Sequence, residues 1–301
     1  MSRLVPILCA VATVGIGLTA WSQLSAGDTD LEIPKGATPA APPAGQDAGA
    51  ALRKARQQCS LAAIDAVVAK VRGDAEARPE DAATWRLLAE AHLERAQQRT
   101  HLRGIAVGEP VFDKLPAALE ADLEAGMAAV ARAREHGDDT GQLFRIEAGL
   151  MSQRITGWTS ALQWNGKIGR ALKEAGERDA DDPKLHVALG LRKLLAPKLF
   201  GHDPEKALEY FEFAAAQDDD ERPAVFAGMA SYLQKKRQQA IGWLEQAVAK
   251  NPSNRFARVV LERLRRGEED PFGRDVTEAE FAALGGKYGG RPPYRSRRSR
   301  R

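Results

Sequence analysis

The sequence predicts an all-α fold, an α-α superhelix in which helical hairpins stack side by side. Three observations predict it. Apolar residues recur at helical spacing almost continuously from residue 52 to residue 266, without strand-like alternation. Aromatics make up only 6% of the chain while Ala and Leu abound, and those two residues lose least on entering a helix. Ala207, Phe211 and Ala214 are followed at an offset of 33 residues by Ala240, Leu244 and Ala247, a regular pairing of helices.

The chain has 301 residues, which allows one large domain or an extended array with tails. Residues 4–20 are an uncharged run of 17 residues behind Arg3. That pattern predicts a signal peptide or membrane anchor over residues 1–26, with small-residue cleavage points ending at Ser22 and Ala26 and Trp21 placed as an interfacial anchor. The chain is therefore expected to be exported, to the periplasmic or another extracytoplasmic side, with the leader either cleaved or kept as an anchor in the inner membrane. Cys9 lacks the small residue expected before a lipidated cysteine, and Cys59 has no second partner in the body of the chain. A disulfide framework and a cysteine metal site are excluded on count. Residues 27–51 read as a linker, because 33–51 hold four prolines, three glycines and seven alanines and have nothing with which to build a core.

Helices are predicted at 50–72, 82–99, 115–135, 141–154, 158–177, 183–196, 204–217, 222–235, 237–250 and 254–266. Asp81 is an N-cap before Trp85 and Leu88. Gly137-Asp138-Asp139 stops one helix, and Asp182-Pro183 and Asp203-Pro204 each start another with proline in the first turn. Asn251-Pro252 closes the helix before it. The last helix carries Arg255, Arg258, Arg263, Arg265 and Arg266 beside Phe256, Val259, Val260 and Leu264, so it is expected to cap the stack with one apolar and one solvated face.

From Ala224-x2-Ala227-Gly228-x2-Ser231 through Ala240-x3-Leu244-x2-Ala247 to Pro252, the chain resembles the tetratricopeptide repeat (TPR), a 34-residue helix–turn–helix. Trp85-x2-Leu88-Ala89-x2-His92 fits the first half of that pattern, with its partner helix delayed by an insertion at 100–114. The resemblance is moderately specific over 182–252 and weaker before it. It implies that first helices line a concave face where partner segments bind. Position by position it nominates Arg86, Glu90, Leu93, Arg145, Met229 and Tyr232 as binding residues. Pro197-Lys198-Leu199-Phe200-Gly201 followed by Asp203-Pro204-Glu205-Lys206-Ala207 also resembles periplasmic TPR proteins associated with TRAP-type solute transporters, apart from His202 where a glycine is usual.

Five histidines form no metal motif, and no nucleophile elbow or phosphate loop is present. No cofactor, metal or catalytic residue is expected. Asp218-Asp219-Asp220-Glu221 reads as a solvated interhelix loop, and His92 as a packing residue. Trp158, Trp164 and Trp243 read as gap fillers; the first two are six residues apart, so they face different ways and leave one exposed.

Residues 267–286 are expected to add a short helix behind a capping box, Thr277-Glu278-Ala279-Glu280. Residues 287–301 read as a disordered basic tail with Lys287, Arg291, Arg295, Arg297, Arg298, Arg300 and Arg301 and no acid, whereas the rest of the chain has 37 basic against 41 acidic residues. Such a tail suits anionic lipid or an acidic polymer; in an exported chain nucleic acid is not an expected partner. The functional expectation is a non-catalytic protein–protein interaction scaffold of the cell envelope. The alternatives are a periplasmic ligand-binding or accessory subunit of a solute transporter, a polyanion-binding protein acting through its tail, and a helical glycan-processing enzyme, which needs paired carboxylates facing one cavity.

Overall fold

The computed structural model describes residues 46–285. The predicted leader, most of the predicted linker and the basic tail from Lys287 to Arg301 lie outside the described residues.

The described residues are all-α and pair in sequence. The hairpins are α1 (Gln46–Gln57) with α2 (Leu61–Ala77), α3 (Ala82–Thr100) with α4 (Ala117–Glu135), and α5 (Gly141–Ser152) with α6 (Trp158–Arg178). Then come α7 (Pro183–Leu195) with α8 (Pro204–Gln217), α9 (Arg222–Leu233) with α10 (Arg237–Lys250), and α11 (Arg255–Arg266) followed by the short α12 (Glu278–Ala283). First helices also touch the next first helix along the chain, from α1 to α3, α5, α7 and α9. That is the stacking expected of TPR-like hairpins, in which each pair shelters the apolar face of its neighbour.

The predicted start signals work as written. Asp81 accepts hydrogen bonds from the amides of Ala83 and Thr84, Asp182 from Lys184, and Asp203 from Lys206. Gly137 ends α4 with φ of 87°, a left-handed turn that glycine adopts at no steric cost. The first predicted helix, 50–72, is two helices. Cys59 turns left-handed with φ of 49°, and Ser60 caps α2 by accepting from the amide of Ala63. The helix also begins inside the predicted linker, at Gln46, because Leu52 and Ala55 are buried and secure it.

Small residues set how closely the paired helices approach. A methyl group on Gly228 meets Leu244 Cγ at 3.2 Å and the Ala240 carbonyl at 3.3 Å, whereas one on Gly190 falls 2.5 Å from the fully buried ring of Phe211. Alanine gains about 1 kcal/mol over glycine in a helix, while overpacking a tight core costs about 1–3 kcal/mol. The two terms nearly offset at Gly228, but the clash prevails at Gly190. Urea titration is expected to show Gly190→Ala destabilised by about 1–2 kcal/mol and Gly228→Ala within about 0.5 kcal/mol of the parent.

The predicted cap is more than a cap. In α11, Arg258 and Arg263 are buried along with the apolar residues, because residues 267–284 fold back over the face expected to be solvated. The insertion after α3 meets that extension. The amide of Ile105 donates to the Phe272 carbonyl and the amide of Val276 to the Leu102 carbonyl, both at 2.8 Å. The insertion also reaches the α7–α8 connection, where the amide of Gly108 donates to the Leu195 carbonyl.

Candidate functional site

The inner face of the array is built by α1, α3, α5, α7 and α9, and it is charged. On α3, Glu90, Glu94 and Gln97 lie at spacings of four and three residues, which sets them on one side of the helix. Glu90 accepts from Lys184 Nζ at 2.6 Å and from Arg145 Nη2 at 3.4 Å, and Arg145 Nε donates to Asp182 at 2.8 Å. One turn further on, Arg222 grips Glu94 with both terminal nitrogens, at 2.8 and 3.0 Å, and also donates to Asp220 and Gln97. Arg56, from α1, donates to Asp220 at 2.6 Å and lies 3.6 Å from Glu221, which accepts from Asn254 Nδ2 at 3.1 Å.

These contacts join distant parts of the chain. Glu94 and Arg222 are 128 residues apart, and Arg56 and Asp220 are 164 apart. The first two hairpins therefore meet the fifth across the inner face, and the array curls shut.

The electrostatics follow from burial opposed by close cations. Burial alone would raise the pKa of Glu90, yet Lys184 and Arg145 hold it far below the usual carboxylate range. Asp220 is likewise buried and likewise held low, by Arg222 and Arg56. Cys59, beside this cluster, has its thiol pushed up to about 11 by burial and by Glu221, so it stays protonated and unreactive near neutral pH.

Asp218-Asp219-Asp220-Glu221 is thus not the solvated loop the sequence suggested. Asp220 and Glu221 are 4% and 3% exposed and seat two arginines. The nominated binding residues are engaged within the chain. Arg86 pairs with Asp138, and Glu90 and Arg145 pair with each other. Leu93 and Met229 are core residues, not groove surface; Leu93 packs where Gly149 leaves room. The Tyr232 hydroxyl donates to the Glu269 carbonyl and its ring stacks near Phe272, so it secures the C-terminal extension. His92 is buried, 3.8 Å from Asp122, which also receives Arg95 and Arg99.

One open cleft, of about 280 Å³, lies at the mouth of the inner face between α1 and the 218–220 loop. Arg53, Lys54 and Gln57 line one wall and Asp218, Asp219 and Asp220 the other. Among the described residues no group of three or more His, Cys, Asp or Glu side chains is placed to hold a metal ion, and no helix is long and apolar enough to cross a membrane. The sequence reading missed Arg56, Glu94, Lys184 and Arg222. The Glu90/Glu94/Gln97 stripe was its only available signal, since the partners come from the far end of the chain.

No protein-family model matches the chain, and no curated protein matches it. Among solved structures, YrrB, described as a TPR protein with an unusual peptide-binding site, is 15% identical over 68% of this chain and 87% of its own, with a TM-score of 0.32.

Proposed function

We propose that the chain is a non-catalytic protein-binding scaffold of the cell envelope, and that partners engage it at the mouth of the inner face and not along an open groove. The observation that carries this reading is the cleft between α1 and the 218–220 loop, which presents exposed Arg53 and Lys54 opposite exposed Asp219. Opposed charges at an open cleft favour a polypeptide segment with both signs of side chain over a single small ion. Cation-paired carboxylates also support a non-catalytic role. A general acid or base works best with a pKa near the working pH, and Glu90 and Asp220 are locked as anions far below it. The envelope setting rests on the uncharged run at residues 4–20.

A photo-crosslinking residue placed at Gln57 or Asp219 of the full chain in cells is expected to give one discrete protein adduct. That adduct should be lost on Arg53→Glu/Lys54→Glu, with the melting temperature unchanged. Failure to form an adduct at both positions, or an adduct indifferent to the charge reversal, would overturn the reading. A cleft of this volume also suits a compact charged solute, as in the transporter-subunit alternative. Saturable stabilisation of the purified protein by one such solute, without any adduct, would favour that alternative.

A further inference from the structure

We propose that the N-terminal end of α6 is a membrane-contact tip, which seats Trp158 and Leu162 in the interface of an anionic bilayer. Trp158 and Leu162 are 58% and 46% exposed, one helical turn apart on the same side. Nothing in the helix pairing covers them. Gly141 at the start of α5 lies against Ala175 of α6 and Asp179 just beyond it, and α5 has 12 residues where α6 has 21. Antiparallel pairing from that end exhausts α5 before the first turns of α6, so residues 158–163 project about 9 Å beyond it. The projection is braced, not loose. Trp158 packs edge-on against Phe200 at 5.0 Å, and Ser160 Oγ donates to the Gly157 carbonyl and accepts from the Thr156 amide.

The stretch of chain that carries the tip has charge of one sign. Residues 148–173 contain Arg154, Lys167, Arg170 and Lys173 and no acid, in a chain whose body is otherwise rich in acids. Lys173 reaches Glu177, while Lys167 and Arg154 lie over the Trp164 ring at 4.8 and 5.6 Å. Lys198 is exposed beside Phe200. Lys167 and Arg170 are exposed about 8 and 12 Å along the axis from Leu162. Aromatic and aliphatic residues at a tip, with cations one to two turns behind, match the layering of a bilayer surface: acyl boundary first, phosphates next. A bound peptide helix needs a groove to bury its apolar stripe, and a projecting helix end offers none.

The test uses the full chain on vesicles with brominated acyl chains, prepared with phosphatidylglycerol or with phosphatidylcholine alone. On anionic vesicles a component of tryptophan fluorescence is expected to be quenched that is missing in Trp158→Phe. Leu162→Glu and Lys167→Glu/Arg170→Glu should each reduce that component at least tenfold in lipid titration, without lowering the melting temperature. Trp21, near the predicted anchor, is quenched in all variants and is removed by the difference. An absent Trp158 component would overturn the proposal, as would equal quenching on zwitterionic vesicles. So would a photo-crosslinker at Leu162 that captures a protein in cells while Trp158 stays unquenched on vesicles. The mouth-cleft reading stands or falls separately, since its crosslinks arise from α1 and the 218–220 loop.

Discussion

Asp220→Ala is expected to lower stability by about 3–5 kcal/mol, the usual cost of removing one partner from a buried ion cluster. The substitution leaves Arg56, 9% exposed, with Glu221 at 3.6 Å as its one anionic partner among the described residues, and removes the carboxylate that orients Arg222 toward Glu94. For a domain of this size that corresponds to a fall of about 10 °C in melting temperature. Because the lost contacts join α1 and α3 to α9, small-angle scattering should also report a larger radius of gyration. Replacing Arg56, Asp220 and Arg222 together by Met, Leu and Met should not restore the loss, since Glu94 and Glu221, 6% and 3% exposed, would be left buried without their cations. A melting temperature within 1 °C of the parent for Asp220→Ala would mean that the cluster does not hold the array closed.

The same cluster fixes the sign of the acid dependence. Asp220 and Glu90 have folded pKa values depressed below their unfolded values. Their contribution is full above the unfolded carboxylate range of about 4 and declines as pH falls below it. Denaturant titrations at descending pH should show the parent losing stability below about pH 4, and Asp220→Ala losing less over the same interval.

Arg263→Met is expected to release the C-terminal extension while leaving the hairpin stack folded. Arg263 is 2% exposed, and all five of its N–H donors are used. Nε and Nη2 bind the two oxygens of Glu280, Nη1 donates to the carbonyls of Pro271 and Arg274, and Nη2 also donates to that of Asp275. Methionine fills similar volume but leaves three carbonyls without their donor and the Glu280 carboxylate with Arg274 and Thr277 alone among the described residues. The expected cost is about 3–5 kcal/mol, confined to this extension. Hydrogen exchange should accelerate over residues 268–284 and in the 101–106 loop that pairs with it, while α4 to α8 keep their protection. Arg263→Lys should not rescue, because an ammonium offers three donors from one point and cannot reach five acceptors. Glu280, whose pKa is lowered to about 2 chiefly by Arg263, would return toward the ordinary carboxylate range in either variant.

Elements set by near neighbours were legible in the sequence. The N-caps at Asp81, Asp182 and Asp203 and the left-handed stop at Gly137 need only residues within one turn, and they form where expected. The capping box at Thr277 and Glu280 forms too, although its carboxylate has a second duty to Arg263 that no local pattern reveals. Trp158 was read with Trp164 and Trp243 as a gap filler, yet it is 58% exposed; only the expectation that it and Trp164 face different ways holds. The break at Cys59 went unread because a left-handed cysteine carries no composition signal, and only Ser60 behind it hinted at a new helix start.

The sequence by itself determined that this chain pairs helices and piles the pairs, because apolar periodicity, small residues at contact points and caps act over three to twelve residues. Only the tertiary structure decided what the inner face became. A small rotation at each hairpin accumulates along the stack, and here it brings Arg56 and Glu94 against Asp220 and Arg222 from beyond 120 residues away. Residues that would line an open groove at a gentler curvature instead satisfy one another across the inner face.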